Sequence, residues 1–292
     1  MNEDLRVVFE SRNRRACADR ALVLASVGIP HEIVEDGGTA VLVVPAAVSA
    51  RAVDELLRYD EENPPALPVR RQPVVYQNAL PGILGYVIVV CLFAGLSWRA
   101  MFSLDWLAAG RVDGADIRTG EWWRSVTALT LHSGVRHLAG NLVFGALFGL
   151  FAGRLLGPGI AWLTIVLAGA AGNLLNTLFL DPAHRSIGAS TAVFAALGLV
   201  AGYVWRGRLM AQDRWPYRVG PIVGGFALLM YTGTGGPDTD IGAHLMGFLA
   251  GLGAGVLLTP LAERLPGRRA QNAAGTAALA LVGVAWLLAF TA

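Results

Sequence analysis

The 292-residue chain contains no lysine, only two cysteines, and only 15% charged residues. All of its basic side chains are therefore arginine, and its formal net charge is only +2. No basic patch with interleaved aromatic residues is present, which is the pattern that nucleic-acid binding would require. Together with the 36 glycines, the missing lysine indicates a compositional bias, and we expect no nucleic-acid partner.

The two cysteines occupy different kinds of sequence. Cys17 lies in a polar N-terminal region and Cys91 lies inside an apolar segment, so a bond between them is not expected. The N-terminal region also lacks the apolar stretch that a signal peptide needs. We therefore predict a chain without disulfides whose N-terminus lies in the cytoplasm.

Apolar residues make up 54% of the chain, which exceeds the roughly 45–50% of ordinary soluble domains. Crossing about 30 Å of hydrocarbon takes roughly 17–25 helical residues. Seven segments are long enough: 80–98, 137–153, 159–180, 189–205, 219–233, 241–261 and 273–291. The sequence thus predicts an all-α polytopic membrane domain over residues 80–292. The fifth segment is the least regular, because it contains Pro221, Gly224 and Gly225.

Residues 1–62 predict a separate soluble α+β domain with the order βαββα. The predicted elements are a strand over 6–10, a helix capped by Ser11 or Asn13 and ending near Val27, strands over 31–35 and 39–44, and a helix over 49–59. Cys17, Ala21 and Leu24 form the apolar face of the first helix, and Val53, Leu56 and Leu57 that of the second. Residues 63–79, rich in proline and arginine, predict an extended linker.

The distribution of arginine predicts the orientation of the segments, since positive residues accumulate on the cytoplasmic side. Ten arginines then lie on that side: Arg70, Arg71, Arg154, Arg206, Arg208, Arg214, Arg218, Arg264, Arg268 and Arg269. The exception is the loop 99–136, whose five arginines fall outside, and whose tryptophans suggest that it lies in the membrane interface. We expect a protein of the bacterial plasma membrane with its C-terminus on the outer side.

Three of the predicted segments begin on this outer side and carry polar groups close to that end. His137 and Asn141 share one face of the second segment because they are four residues apart. Ser190 lies in the first turn of the fourth segment and His244 in the first turn of the sixth. Ionisable groups are expensive inside a membrane, so their common depth predicts one polar site.

A stripe of glycines follows His244 at four-residue spacing: Gly247, Gly251 and Gly255. Such a stripe allows two helix backbones to approach closely. The fourth segment offers a matching surface of small residues, namely Ala192, Ala195, Ala196, Gly198, Ala201 and Gly202. We therefore predict that the fourth and sixth helices touch, which would bring an imidazole to a serine hydroxyl.

A serine hydroxyl becomes a nucleophile when a neighbouring base takes its proton, so Ser190 and His244 form a candidate catalytic dyad. Asn141, His137 and the backbone N–H of Ser190 could stabilise the oxyanion of a tetrahedral intermediate. Taken alone, however, a serine in such a helix is usually a packing residue bonded to its own helix. Three co-located polar groups favour catalysis over that interpretation.

Other membrane chemistries fit the sequence less well. His132 and His137 lack the HExxH pattern of zinc proteases, and Asp238 and Asp240 lie in a polar loop rather than at mid-membrane. No charged pair or broken helix marks a transport path, although a channel or transporter stays an alternative. His31 and His184 are interpreted as surface residues. No metal or cofactor is expected.

Four motifs give the chain a resemblance to the rhomboid family of intramembrane serine proteases over about residues 80–263. They are Gly120-Glu121-Trp122-Trp123-Arg124, His132 with His137-Leu138-Ala139-Gly140-Asn141, Gly188-Ala189-Ser190 with Phe194, and Ala243-His244 with Gly247 and Gly251. The resemblance implies a six-helix core, with the seventh span as an extra C-terminal helix. It also implies cleavage of transmembrane or membrane-proximal segments of other membrane proteins, including single-span ones, within the lipid bilayer.

The resemblance implies a role for each matching residue. Ser190 would be the nucleophile, His244 the base, and His137, Asn141 and the Ser190 amide the oxyanion hole. Phe194 would stack on the His244 ring, Trp123 and Arg124 would anchor the first loop, and His132 would have a structural or access role. Thr191 and Leu142 depart from residues common in the family but remove no catalytic atom. A silent relative that only binds client helices stays an alternative.

Overall fold

The computed structural model describes residues 4–63, 76, 78–179, 182–207, 215–233, 239–260 and 266–292. The chain divides into two compact units, Met1–Arg70 and Arg71–Ala292. Most of the linker predicted over residues 63–79 lies outside the described residues, as does Asp238.

The first unit contains a three-stranded antiparallel sheet and two helices. Its elements are β1 (Leu5–Ser11), α1 (Arg14–Ser26), β2 (Glu32–Asp36), β3 (Thr39–Pro45) and α2 (Ser49–Glu62). The strand order is β1-β3-β2. Gly37 and Gly38 join β2 to β3 with φ angles of 55° and 84°, a backbone region that favours glycine and that tight hairpins require. Of the two predicted caps, Asn13 caps α1 by accepting from the Arg15 N–H at 3.1 Å.

The core of the first unit is formed by the two helices and one face of the sheet. The prediction for α1 is confirmed, because Cys17, Ala21 and Leu24 are its buried residues. The prediction for α2 is wrong in part. Its buried residues are Ala52 and Leu56, whereas Val53 and Leu57 are 40% and 57% exposed. Ala52 and Leu56 are four residues apart and share one face of α2, and Val53 and Leu57 share the adjacent face. The face that contains the smaller alanine is the one turned to the core.

The second unit is predominantly helical. Its helices are α3 (Leu80–Trp98), α4 (Trp106–Gly110), α5 (Gly114–Arg118), α6 (Arg124–Thr127), α7 (Val135–Leu156), α8 (Pro158–Phe179), α9 (Ser190–Arg206), α10 (Trp215–Gly233), α11 (Ile241–Leu258) and α12 (Arg268–Thr291). Two short strands, β4 (Val112–Asp113) and β5 (Arg185–Ser186), pair antiparallel between the loops. Pro221 lies inside α10, which continues through it.

Five helices among the described residues are long and apolar enough to cross a membrane: α3, α7, α8, α11 and α12. α9, with 17 residues, and the apolar part of α10, Val219–Tyr231, are shorter. α9 is also the most enclosed of these helices, because nearly every residue from Thr191 to Tyr203 is buried. It packs against α7, α8, α10 and α11, so its neighbours separate it from the surroundings of the bundle.

The backbones of α9 and α11 are in close contact, as the glycine stripe predicts. Gly247, Gly251 and Gly255 lie against the carbonyl oxygens of Thr191, Ala195 and Leu199, one turn apart on α9. In return, Gly198 and Gly202 lie against the carbonyls of Phe248 and Leu252 on α11. A Cβ atom at any of these glycines would overlap a backbone oxygen. The approach is therefore possible only with glycine, and it brings Cα–H groups against carbonyl oxygens.

The segment between α3 and α7 folds against α12. Trp106 of α4 lies 5.0 Å, between ring centroids, from Trp286 of α12, and the Phe93 ring of α3 stacks on Trp286 at 5.2 Å. The Trp286 indole N–H donates to Thr130 Oγ1 at 3.1 Å. These contacts bury large apolar surfaces, so the C-terminal helix holds this loop in place.

The packing of α9 on α11 predicts that two glycines of one helix respond differently to alanine. Gly251→Ala would place a methyl group against the Ala195 carbonyl, whereas a methyl group at Gly253 would meet no atom of another described segment within 4 Å. We expect Gly251→Ala to destabilise the protein by about 1–3 kcal/mol, as overpacking of a tight interface does. Gly253→Ala should leave stability equal or higher, because alanine favours helix. Thermal unfolding in detergent measures both, and equal midpoints would contradict the packing.

Candidate active site

The starts of α7, α9 and α11 surround one cavity of about 970 Å³. The predicted co-location of these three helix ends is therefore confirmed. The cavity is lined by residues from all three helices and from the loop before α9, among them His137, Asn141, Ser190, Phe194 and His244. Asp240, His184 and Arg136 also line it, so the cavity combines polar and charged groups.

Ser190 is the first residue of α9 and is half-buried in the cavity. The preceding turn is fixed by backbone geometry: Gly188 has a φ of 136° and donates its N–H to the Ala128 carbonyl at 2.9 Å. A Cβ at position 188 would meet the His137 ring. Position 188 therefore requires glycine for two reasons: the positive φ favours glycine, and the His137 imidazole occupies the space that a Cβ atom would need.

His244 lies in the first turn of α11 and is only 7% exposed. The Phe194 ring, one turn along α9 from Ser190, packs on the His244 ring with centroids 4.5 Å apart and planes inclined at 42°. The resemblance implies that these two rings stack, and the structure brings them into contact in a tilted arrangement. It restricts the orientation of the imidazole, whose helix is held to α9 by the glycine contacts.

His137 and Asn141 project from neighbouring turns of α7. The His137 Nδ1 lies 3.1 Å from Ser133 Oγ, and Asn141 Nδ2 donates to the His137 carbonyl at 3.1 Å. An amide NH2 has two N–H groups, so this bond leaves one for a ligand. Tyr86 of α3 donates its hydroxyl to the Asn141 carbonyl at 2.8 Å. The turn that carries Asn141 is therefore held from a second helix.

His132 is buried beneath the site, with 2% of its surface exposed. Its Nε2 accepts from the Ala189 N–H at 3.4 Å, and its carbonyl accepts from the Trp98 indole N–H at 2.7 Å. Burial, followed by the neighbouring His137, lowers the pKa of His132 to about 4. The neutral ring thus contacts the residue before Ser190, which fits a structural role.

Arg124 is almost buried within the first loop. Its guanidinium pairs with Glu121 at 2.6 Å and Asp116 at 3.0 Å and donates to the Ala108 carbonyl at 2.7 Å. Trp123 beside it is half-buried and packs on the aromatic cluster that includes Trp106 and Trp286. Both residues lie outside the cavity lining, so their contacts stabilise the loop rather than the reacting groups.

The sequence interpretation missed two residues of the cavity, His184 and Asp240. The prediction that His184 is a surface residue is wrong in part: its side chain is only 25% exposed, and its Nε2 lies 2.7 Å from Asp240 Oδ2. Asp240 is not simply a loop residue either, since it caps α11 by accepting from the Ala243 N–H at 2.9 Å. Burial would raise the pKa of Asp240, but this hydrogen bond and His184 outweigh it and lower the pKa. The sequence does contain a signal for Asp240: an aspartate three residues before Ala243 has the spacing of an N-terminal helix cap.

The loop before α9 is held from its other side as well. Arg185 pairs with Asp113 at 2.9 Å, and β5 pairs with β4. Burial opposes ionisation of Asp113, but the hydrogen bonds from Arg185 and the backbone outweigh it and lower the pKa of Asp113. The loop that leads to Ser190 is therefore anchored both to the first loop and to α11.

The apolar helices of the second unit make this chain an integral membrane protein. The family model for the Rhomboid domain matches residues 119–261. Rhomboid protease GluP of Bacillus subtilis is 24% identical over 202 residues, covering 68% of this chain and 35% of that protein. Rhomboid-like protease 3 of Toxoplasma gondii is 36% identical over 133 residues, covering 44% of this chain and 49% of that protein.

The protein YdcA of Bacillus subtilis is 30% identical over 155 residues, covering 52% of this chain and 73% of YdcA. The chain belongs to the rhomboid family. That family contains proteases and also inactive members. The chain spans only about a third of the length of GluP and about half of the length of the Toxoplasma protein. Family membership therefore defines its class and not its substrate.

The low pKa of His132 predicts a dependence of stability on pH. In an unfolded chain a histidine titrates near 6.5, whereas in the folded protein it stays neutral down to about pH 4. Between these values the unfolded state binds more protons, so stability falls as the pH is lowered from about 6.5 to about 4. His132→Gln keeps an acceptor for Ala189 without a titrating group.

We expect the wild type to lose on the order of 2 kcal/mol more than His132→Gln between pH 7 and pH 5, from the size of the pKa shift. Denaturation of the two proteins in detergent at a series of pH values measures this difference. Parallel pH profiles for the two proteins would show that His132 is not held neutral by its surroundings.

Proposed function

We propose that this protein is an intramembrane serine endopeptidase that cleaves transmembrane or membrane-proximal segments of other membrane proteins. The observation that carries the proposal is that Ser190 and His244, 54 positions apart in the sequence, line one cavity together with His137 and Asn141. Membership of a family that includes proteases supports it. The proposed substrates are single-span or other membrane proteins, reached within the lipid bilayer.

In the proposed reaction the Ser190 hydroxyl attacks the scissile carbonyl while His244 takes the hydroxyl proton. The tetrahedral intermediate collapses when His244 gives that proton to the leaving amine, and an acyl-enzyme ester on Ser190 remains. Water then attacks the ester, His244 again accepts the proton, and the carboxylic acid leaves as Ser190 regains its hydrogen. The packing of Phe194 on His244 supports a fixed imidazole, which a dyad without a carboxylate partner needs.

The oxyanion would be stabilised by donors at the starts of two helices. The second N–H of Asn141, the His137 ring and the backbone N–H of Ser190 are the proposed donors. The Ser190 N–H lies at the start of α9, where N–H groups point out of the helix and the dipole favours negative charge. Tyr86 and Ser133 would keep Asn141 and His137 in place.

The proposal includes a topology in the bacterial plasma membrane. The seven helices α3 and α7 to α12 would all cross the bilayer, including the shorter α9 and α10, with a soluble domain of residues 1–62 and the linker 63–79 on the cytoplasmic side. The cavity would then open to the outer side, where the C-terminus also lies. The seventh crossing, α12, would be an addition to a six-helix core.

The proposed nucleophile predicts the outcome of active-site labelling. A fluorophosphonate probe should label the detergent-solubilised wild type, and Ser190→Ala should abolish both labelling and cleavage of a single-span substrate. Ser97→Ala is the matched control, since the Ser97 hydroxyl bonds to its own helix at the Ala94 carbonyl, and it should label fully. A folded wild type that neither labels nor cleaves would contradict the proposal. Retention of the substrate without product would favour a silent client-binding protein.

The proposed oxyanion donor predicts a kinetic effect at Asn141. Asn141→Ala should lower kcat by about 10²- to 10³-fold, as loss of one oxyanion donor does, with little change in KM. Asn272→Ala, at an exposed position on α12, should leave kcat unchanged. Cleavage rates over a range of substrate concentrations in proteoliposomes measure both constants. An Asn141→Ala enzyme with the wild-type kcat would remove Asn141 from the oxyanion hole.

A further inference from the structure

The Asp240 carboxylate joins three separate segments of the second unit at the edge of the cavity. Its Oδ2 lies 2.7 Å from His184 Nε2 in the loop before α9, and both of its oxygens accept from Asn176 Nδ2 of α8 at 3.1 Å. Its Oδ1 also accepts from the Ala243 N–H at the start of α11, and the Ser186 hydroxyl is a further donor to the carboxylate. One carboxylate thus collects donors from α8, from the loop and from α11.

Two of these segments carry the proposed dyad. The loop that contains His184 leads directly to Ser190, and α11 carries His244 one turn after Asp240. α9 has no side-chain cap of its own, because Ala189 occupies its cap position. The start of α9 therefore depends on contacts of the preceding loop, and Asp240 supplies a contact that it shares with the helix of His244.

We propose that Asp240 is a positioning residue that fixes the start of α9 relative to the start of α11 through its bond to His184. The inference rests on the proposed function for its catalytic consequence, since it is the dyad that would be positioned. Asp240 acts through the two segments and not on the reacting atoms.

The surroundings of the pair make this bond effective. The side chains of His184 and Asp240 are only 25% and 14% exposed, so water screens their interaction less than that of a surface ion pair. Removing the carboxylate would also leave the donors of His184 and Asn176 without their partner in a partly buried place, which is costly. The pair therefore resists separation of the two segments.

The chain offers substitutions that separate this role from helix capping. Asp240→Asn keeps an oxygen for the Ala243 N–H, because asparagine is as good a cap as aspartate, but it replaces the acceptor that faces His184 by an NH2 group. His184→Ala removes the donor, and His184→Gln restores an N–H donor at a similar reach. Asp60→Asn is the matched control, since it removes a carboxylate that accepts from Arg20 at 2.7 Å in the first unit.

The first readout is cleavage of a single-span substrate by the full chain in proteoliposomes. Asp240→Asn and His184→Ala should each lower kcat about 10-fold or more with KM unchanged, since a small misplacement of reacting groups has effects of up to about 10²-fold. The double variant should be no slower than Asp240→Asn alone, because the bond between Asp240 and His184 is already absent from that variant. His184→Gln should recover most of the activity. Wild-type kcat in Asp240→Asn, or independent effects in the double variant, would overturn the proposal.

The second readout does not depend on activity, because it uses hydrogen–deuterium exchange in the Ser190→Ala background. Asp240→Asn should speed exchange in peptides covering residues 182–192, and His184→Ala should speed exchange at the start of α11. Asp60→Asn should change neither. Unchanged exchange at residues 182–192 in Asp240→Asn, or at the start of α11 in His184→Ala, would overturn the positioning role even in an active enzyme. A wild type that neither labels nor cleaves would contradict only the proposed function, and the exchange result would still decide whether Asp240 couples the two segments.

Discussion

The close contact between the backbones of α9 and α11 is the constraint on which the rest of the second unit depends. Helices in a lipid environment gain little from hydrophobic burial, so they associate through van der Waals packing and through short contacts between backbones. Here three glycines of α11 face carbonyl oxygens of α9 at consecutive turns, and two glycines of α9 face carbonyl oxygens of α11. The register begins next to the polar residues, because Gly247 faces the carbonyl of Thr191, the neighbour of Ser190. It therefore holds the residues that begin the two helices at the same level.

The polar groups of the second unit are satisfied mainly at the helix starts and in the loops between them. Arg124 pairs with Glu121 and Asp116, and Arg118 donates to the Thr177 carbonyl at the end of α8 at 2.7 Å. Two of the five arginines of the first loop thus have partners within the protein. An arginine whose charge is neutralised by a carboxylate of the same loop is a structural residue, and it says little about which face of the membrane it occupies.

Much of the fold could be predicted because the chain follows simple periodic rules. Apolar runs of sufficient length located the long helices, and the glycine spacing after His244 identified its partner helix. Polarity at three helix starts identified the cavity. The face of α2 was wrong because an alanine gives a weak hydrophobic signal, so Val53 and Leu57 outweighed Ala52 in the pattern. His184 and Asp240 were missed for a different reason: a hydrogen bond between residues 56 positions apart leaves no local periodicity, and each residue alone is typical of a solvated loop.

The length of α9 connects the packing of the bundle with the proposed chemistry. Its 17 residues rise about 25 Å, which is less than the roughly 30 Å of a hydrocarbon core. A helix this short, enclosed by longer neighbours, leaves a depression at its end, and Ser190 lies at that end. The cavity there measures about 970 Å³, whereas one water needs only about 10–15 Å³ by such a measure. Hydrolysis of an acyl-enzyme requires water as its second reactant. A cavity that forms because the central helix α9 is short would give water access to Ser190, where the proposed acyl-enzyme is formed.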